Sequence, residues 1–375
     1  MSDRKNLKIA FVSNNAWSIY NFRVDIIKML IADGHEILII TPDHAIVEKI
    51  VALGCSHVSI DFDNKVINPF TDLKFLMNLK RLYKKINPDL IFHYVAKPNI
   101  YGTIAAHKNG IPSVAVITGL GFAFSRKNLL YFIIKQLYRF SLSGAKEVLF
   151  LNNEDALLFV RERIVPLHKI NVLPGEGINT SYFHPPAVRQ KNPTFQFLMS
   201  CRMLKSKGVE LFVEASRLLK LKDYVFESVV LGFFEENHPD SIAPLKVQQW
   251  QSQGLINFLG FKEDVRPFLA FADVFVFPSY YNEGVPRSLL EAASMELPII
   301  TTNNTGCRDV VEDGVNGYLC QIQDPFDLAK KMEEMLLLNE QDLKKMGQKG
   351  REKVVSRFGM DKVIHEYRRI ITQIS

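Results

Sequence analysis

The run DVFVF at residues 273–277, continued as PSYYNEGVPRSLLEAASMELPIITT, restricts the fold more than any other stretch of the chain. Almost every residue of 273–277 is apolar, which reads as a strand buried on both faces. Pro278 ends it. A polar loop leads to Gly284 and then to Pro286, placed at the first turn of a helix, where a fixed φ and a missing N–H cost nothing. The helix from Arg287 to Met295 opens with N–H groups that have no partner inside the helix, a natural anion site. Glu283 sits just before this helix and Glu291 within it, eight residues apart. A ligand with phosphate in its middle and hydroxyls at both ends, such as a nucleotide sugar, suits that layout.

The first half of the chain alternates short apolar runs with helical segments. Strands are expected at Lys8–Ser13, Ile37–Thr41, Val58–Ile60, Asp89–Val95, Ser113–Thr118 and Val148–Leu151, with helices near Phe22–Asp33, Ala45–Leu53 and Leu73–Ile86. Such alternation predicts a parallel sheet covered by helices, with ligands beyond the carboxyl ends of the strands. That directs attention to the loops after Ser13, Val95 and Thr118. In the first, Asn14, Asn15 and Ser18 supply polar groups, and Arg23 reads either as a contact to an acceptor phosphate or as a surface residue of the first helix. His93 and Lys97 flank the end of a strand; the histidine reads as a substrate or acid–base group or as a structural one. Gly119 and Gly121 allow close backbone approach. Asp61-Phe-Asp63 has metal-binding spacing but nothing around it supports that use, and no metal or other cofactor is expected.

A Pro/Gly-rich segment, Leu173–Pro186, leads into a second series that starts with the strand Phe195–Ser200 and a helix from Val209 to Leu219. Between them lies Cys201-Arg-Met-Leu-Lys-Ser-Lys-Gly208, where Arg202 and Lys207 face a helix N-terminus and can neutralise a diphosphate. With 375 residues the chain is too long for one average domain. Its four cysteines form no C-x-x-C pair and read as thiols of a reducing compartment. No signal peptide and no apolar run long enough for a bilayer is read, so a cytoplasmic protein, free or attached to a membrane face, is expected.

Charge is uneven. Residues 1–186 carry 22 Lys or Arg against 15 Asp or Glu, while residues 187–375 carry 24 against 25. Residues 90–146 hold no acid at all. There Arg126, Lys127, Lys135 and Arg139 are interleaved with Leu129, Leu130, Tyr131, Phe132, Ile133, Ile134, Leu137, Tyr138 and Phe140. This is a composition for a helix on an anionic membrane surface, or for a core helix with a solvated basic face. No nucleic-acid motif accompanies the charge.

Glu283-x7-Glu291, the following Ala-Ala and Pro298-Ile-Ile, and Gly306-Cys-Arg-Asp-Val-Val-Glu-Asp-Gly-Val-Asn-Gly317 resemble the signature of the family 4 retaining glycosyltransferases. Arg202 to Gly208 resembles that family's "G-R-L-x-x-x-K-G", and Leu173–Pro186 its entry into the second domain. The resemblance covers nearly the whole chain. It implies an α/β GT-B fold, two Rossmann-like domains facing across a cleft. Residues 1–183 would bind acceptor, residues 184–356 would bind nucleotide sugar, and residues 357–375 would form a helix crossing back to the first domain. It implies Glu283, Arg202 and Lys207 as catalytic residues. Glu291, Gly284, Val285, Pro286, Arg287, Ser288, Gly260, Phe261 and Asn15 would hold the donor, with the base held in the Asn257–Phe261 strand and loop. Arg23, His93, Lys97, Thr118, Gly119 and Gly121 would hold the acceptor. Thr118 and Gly119 stand where many members carry a histidine, a departure from the family pattern.

Ser18-Ile-Tyr-Asn-Phe-Arg23, Gly119-Leu-Gly121 and Glu283–Glu291 look like bacterial enzymes that extend undecaprenyl-diphosphate-linked sugars for capsule, O-antigen or protein glycosylation. The implied activity is retaining, metal-independent transfer of a hexosyl group, N-acetylgalactosamine above others, from a UDP-sugar to a polyprenyl-diphosphate saccharide. It would take place on the cytoplasmic face of the inner membrane, with the leaving phosphate deprotonating the acceptor and the domains closing around both substrates. Rival readings are a UDP-sugar 2-epimerase, which transfers nothing, and a two-domain sugar-binding receptor.

Overall fold

The computed structural model describes residues 6–61, 68–120, 124, 129–188, 192–235, 238–282 and 284–374. They form two compact units, one of residues 1–176 with 360–375 and one of residues 177–359. In the first unit the parallel strands are β1 (Lys8–Val12), β2 (Glu36–Thr41), β3 (Ser56–Ser59), β4 (Leu90–Tyr94), β5 (Ser113–Ile117), β6 (Glu147–Phe150) and β7 (Ile170–Val172), in the order β3-β2-β1-β4-β5-β6-β7. The central ones read KIAFV, LIFHY and SVAVI because both their faces are covered, and β4 and β5 are buried at every position.

The helices between them are α1 (Ala16–Ala32), α2 (Val47–Val51), α3 (Pro69–Ile86), α4 (Thr103–Lys108), α5 (Leu129–Ser143) and α6 (Asn153–Arg161). Helix α1 starts six residues earlier than its apolar spacing suggested, because the Asn15 side chain accepts the Trp17 N–H at 2.8 Å and caps it. Helix α5 packs Tyr131, Ile134, Tyr138 and Leu142 inward. Its other face leaves Leu129, Phe132, Ile133 and Phe140 exposed, and Phe70, Leu73 and Met77 of α3 are exposed as well. Among the described residues no helix is long and apolar enough to cross a membrane.

The second unit repeats the plan with β8 (Gln196–Arg202), β9 (Glu227–Phe233), β10 (Asn257–Phe258), β11 (Val274–Phe277), β12 (Ile299–Thr302) and β13 (Gly317–Cys320), in the order β10-β9-β8-β11-β12-β13. Its helices are α7 (Val209–Lys220), α8 (Pro244–Ser252), α9 (Arg266–Phe271), α10 (Arg287–Ser294), α11 (Cys307–Val310), α12 (Pro325–Leu336) and α13 (Glu340–Phe358). One apolar core runs through it, from Phe197 and Phe212 to Phe275, Leu289 and Met332.

The chain then returns to the first unit as α14 (Met360–Thr372). Met360, Val363, Tyr367, Ile370 and Ile371, one helical stripe, are all buried. The Tyr367 ring lies 4.8 Å from that of Phe92, and its hydroxyl is 2.7 Å from the Tyr94 hydroxyl. Fully burying one such side chain stabilises a fold by roughly 1.5–3 kcal/mol. The stripe therefore contributes on the scale of a whole domain's net stability of about 5–15 kcal/mol.

Candidate active site

In the second sheet the strand order reverses between β8 and β11, which are neighbours. Crevices beyond the carboxyl ends of strands at such a reversal are where α/β sheets bind ligands. The segments that leave these two strands are 203–208 and 278–286, and they are bonded together. The Ser206 carbonyl accepts the Tyr280 N–H at 2.9 Å and the Ser279 hydroxyl at 3.3 Å. From the other side Asp240 accepts the Ser206 N–H on its carboxylate and the Lys205 N–H on its carbonyl, both at 2.9 Å. The turn Lys205–Lys207 is thus held on two sides, and Gly208, at φ +83°, carries the chain into α7.

This clamp fixes Lys207. Its side chain is largely buried, with the ammonium 5.0 Å from the Tyr281 ring centroid and 5.7 Å from that of Phe277. A cation taken out of water is stabilised by aromatic faces and by any anion that approaches. Arg202, at the end of β8, is half exposed, and its Nη1 lies 3.1 Å from both carboxylate oxygens of Glu235. Helix α10 follows Pro286, whose φ of −62° and ψ of 120° turn the chain into the helix. No side-chain hydrogen bond caps that end. Gly284, Val285 and Pro286 are buried, and Ser288 lies in the first turn. Lys207 and α10 thus lie on the two loops that are bonded together at this strand reversal, and Arg202 ends the strand from which one of them leaves.

Glu291 lies one turn along α10, 3.0 Å from Nε of Arg287. Burial pushes its carboxyl above the usual range, and Arg287 pulls in the opposite direction. Farther along the same sheet, Gly260 follows β10 at φ +71° and accepts the Gly232 N–H at 3.0 Å. Phe261 is exposed and meets the Phe233 ring edge-on at 5.8 Å; Phe233 pairs with Arg202 in the β8–β9 register. Of the expected donor and catalytic residues in this unit, Glu283 lies outside the described residues.

In the first unit the expected acceptor residues fare differently. His93 is closed off from solvent. It is fully buried, its Nε2 is 3.0 Å from the Tyr83 hydroxyl and its Nδ1 3.3 Å from Oγ1 of Thr103. Arg23 is neither a surface residue nor open to a phosphate. It is buried, bonded to Glu176 at 2.8 Å and stacked over Tyr94 at 4.5 Å. Lys97 is partly exposed and pairs with Asp72 at 2.8 Å, beside a cavity of about 250 Å3 that Asp61, Thr71, Lys74 and Asn78 also line. Thr118 and Gly119 follow β5, half-buried; Gly121 and Asp63 lie outside the described residues. Asn15 is exposed, with its side-chain oxygen engaged in capping α1.

Burial lowers the His93 pKa from 6.5 to about 3. The unfolded chain therefore binds a proton on this imidazole that the folded one refuses. Its contribution to stability is complete above pH 6.5 and is lost as pH falls toward 3, by about 1.4 kcal/mol per pH unit. Urea unfolding at pH 7, 6 and 5 is expected to show a shallower acid-side loss in His93→Gln than in the wild type; equal slopes would place the loss elsewhere.

Glu235, Glu176 and Tyr83 were not singled out from sequence. Glu235 and Glu176 meet partners 33 and 153 residues away, and Tyr83 meets His93 through the packing of a helix on a strand, so no local pattern marks any of them.

The profile of the family described as glycosyl transferases group 1 matches residues 183–353, and that of the family described as glycosyl transferase 4-like matches residues 8–152. The chain is 31% identical over 354 residues to the N,N'-diacetylbacillosaminyl-diphospho-undecaprenol alpha-1,3-N-acetylgalactosaminyltransferase of Campylobacter jejuni, covering 90% of this chain and 91% of that one. It is 27% identical over 310 residues to the UDP-Gal:alpha-D-GlcNAc-diphosphoundecaprenol alpha-1,3-galactosyltransferase of Escherichia coli, covering 79% and 78%. A solved glycosyltransferase from Rickettsia africae superposes with a TM-score of 0.82 at 21% identity, over 99% of both chains. Two parallel doubly wound sheets and these matches across both halves lead to one conclusion: the chain belongs to the group 1, family 4-like glycosyltransferases and is a glycosyltransferase of GT-B fold.

Proposed function

We propose that this enzyme moves an N-acetylhexosamine, N-acetylgalactosamine as first choice, from a UDP-sugar to a saccharide carried on polyprenyl diphosphate, with retention at the anomeric carbon and without a metal ion. The observation that carries the proposal is the bonding of the two loops that leave β8 and β11, one ending in the buried Lys207 and the other leading into α10, with Arg202 at the end of β8. Breaking the glycosyl–phosphate bond leaves negative charge on the departing UDP. Fixed cations and N–H dipoles aimed at that charge lower the barrier because they need no rearrangement as it develops. Glu283 would hold hydroxyls of the transferred sugar and Glu291 those of the ribose. The leaving phosphate itself would take the acceptor proton on the face it departs from, so no nucleophile of the protein is needed. The two relatives named above act on diphospho-undecaprenol sugars, and the E. coli one uses UDP-Gal.

The acceptor is assigned to the first unit. The exposed apolar face of α5 supports attachment there to an anionic membrane surface, the cytoplasmic face of the inner membrane, where nucleotide sugars are available.

Transfer is tested with a short polyprenyl-diphosphate N-acetylhexosamine, a panel of UDP-sugars and EDTA, reading the lipid mass. A product one N-acetylhexosamine heavier, formed at full rate with EDTA and lost in Glu283→Ala, is expected. Placing the acceptor in anionic rather than neutral vesicles should raise the rate. UDP release without a lipid product would overturn the acceptor assignment, and a metal-dependent rate would overturn the metal-free mechanism.

A further inference from the structure

Arg287 and Glu291 form an ion pair along α10, Nε to Oε1 at 3.0 Å, with both side chains mostly withdrawn from solvent. The order of the two charges runs against the helix. A cation in the first turn faces the positive end of the helix dipole, and the favourable order for charges four apart puts the acid first. For helix stability alone the pair would be better reversed or absent. Breaks of a local rule of this kind gather at functional sites.

The geometry constrains the carboxylate of this pair. Glu291 is the carboxylate nearest the α10 N-terminus among the described residues of that helix. Arg287 holds its Oε1, and Oε2 stands outside that hydrogen bond. A carboxylate pinned at one oxygen presents the other in one direction, which is what recognition of a neighbouring pair of hydroxyls needs. We propose that Arg287 is a positioning residue for the nucleotide sugar: by holding Oε1 of Glu291 it aims the other oxygen at the ribose hydroxyls and sets the preference for ribose over deoxyribose. The proposal rests on the donor-site reading above. Because burial raises the Glu291 carboxyl and Arg287 opposes that rise, losing Arg287 also extends the pH range in which Glu291 is protonated. The helices packed against α10 carry further charges, Arg308 and Asp309 on α11 and, on α13, Glu340, Asp342, Lys344, Lys345, Lys349, Arg351, Glu352, Lys353 and Arg357, while β11 and β12 carry none. All of these stay in place in the variants below.

The test compares the wild type with Arg287→Gln and Arg287→Lys by calorimetric titration with UDP and with 2′-deoxyuridine diphosphate, alongside steady-state transfer. Loss of a charged hydrogen bond predicts that UDP affinity and donor KM worsen about tenfold in Arg287→Gln, with kcat at saturating donor within about threefold. The wild-type preference for UDP over the deoxy compound should shrink in Arg287→Gln and return in Arg287→Lys. The acid limb of kcat/KM should move to higher pH in the Gln variant only. An unchanged preference in a folded Arg287→Gln protein, or a kcat loss at constant KM, would overturn the proposal. Wild-type protein that binds neither nucleotide would overturn the donor-site reading along with it, whereas normal wild-type binding with unaltered variants would overturn only the role of Arg287.

Discussion

Lys207→Met is expected to lower kcat by about three orders of magnitude while donor KM moves by less than about tenfold. The side chain sits at the end of a turn bonded on one side to Ser279 and Tyr280 and on the other to Asp240, beneath Tyr281. It cannot drift away from a bound diphosphate as a surface lysine does. A donor fixed in this way, aimed at charge that appears only as the bond breaks, contributes about 10^2–10^3 in rate. Burial strengthens it further, because less water shares the field. Methionine keeps the length and the contact with the rings, so the variant removes charge rather than volume. The measurement is steady-state transfer together with UDP titration. A kcat within about threefold of the wild type would show that Lys207 is a packing residue. Arg202→Ala should cost less, about a hundredfold, since its guanidinium is half exposed and shared with Glu235.

The second large effect concerns the glycine next to that lysine. Gly208 sits at φ +83°, and a Cβ built on it would overlap the Pro278 carbonyl oxygen and lie 2.6 Å from its carbon. Gly208→Ala therefore meets two separate penalties. The left-handed backbone costs an alanine about 1–2 kcal/mol, and forcing Pro278 away from the turn costs about 1–3 kcal/mol more. Differential scanning calorimetry should show the transition of residues 177–359 lowered by roughly 4–20 °C. Activity should fall even at temperatures where the variant is folded, because the Lys205–Lys207 turn and the loop after β11 can no longer sit together. A variant with unchanged melting would mean that the two loops are free to part.

Much of the fold could be read in advance because it is written locally. KIAFV, SVAVI and VFVF are runs that only strands covered on both faces explain, and they alternate with helical segments. The segments expected to hold the donor are local in the same way. Pro286 and the two acidic positions lie within one short stretch, and so do Arg202, Lys207 and Gly208. What could not be read depends on distant residues. The spacing of Arg23 says nothing of Glu176, 153 residues away, yet that pair turns an expected ligand contact into an internal tie. His93 stands at a strand's carboxyl end, where ligands bind. Whether it faces solvent or Tyr83 depends on how α3 packs over β4. Asn15 has a role that the sequence reading missed. A polar residue after a strand reads as ligand-facing, and the same side chain also caps α1. The Arg287–Glu291 pair was present in the sequence as a spacing of four, and its reversed polarity was the available signal.

The return of α14 to the first unit has a consequence for how the protein comes into being. On the ribosome a chain emerges in order, and N-terminal domains ordinarily fold first. Here residues 177–359 form a contiguous unit that can close as soon as they are out, whereas Phe92 and Tyr94 wait for Tyr367. The half of the molecule made first is the half completed last, and until then an apolar strip the length of α14 stays uncovered for a chaperone to hold.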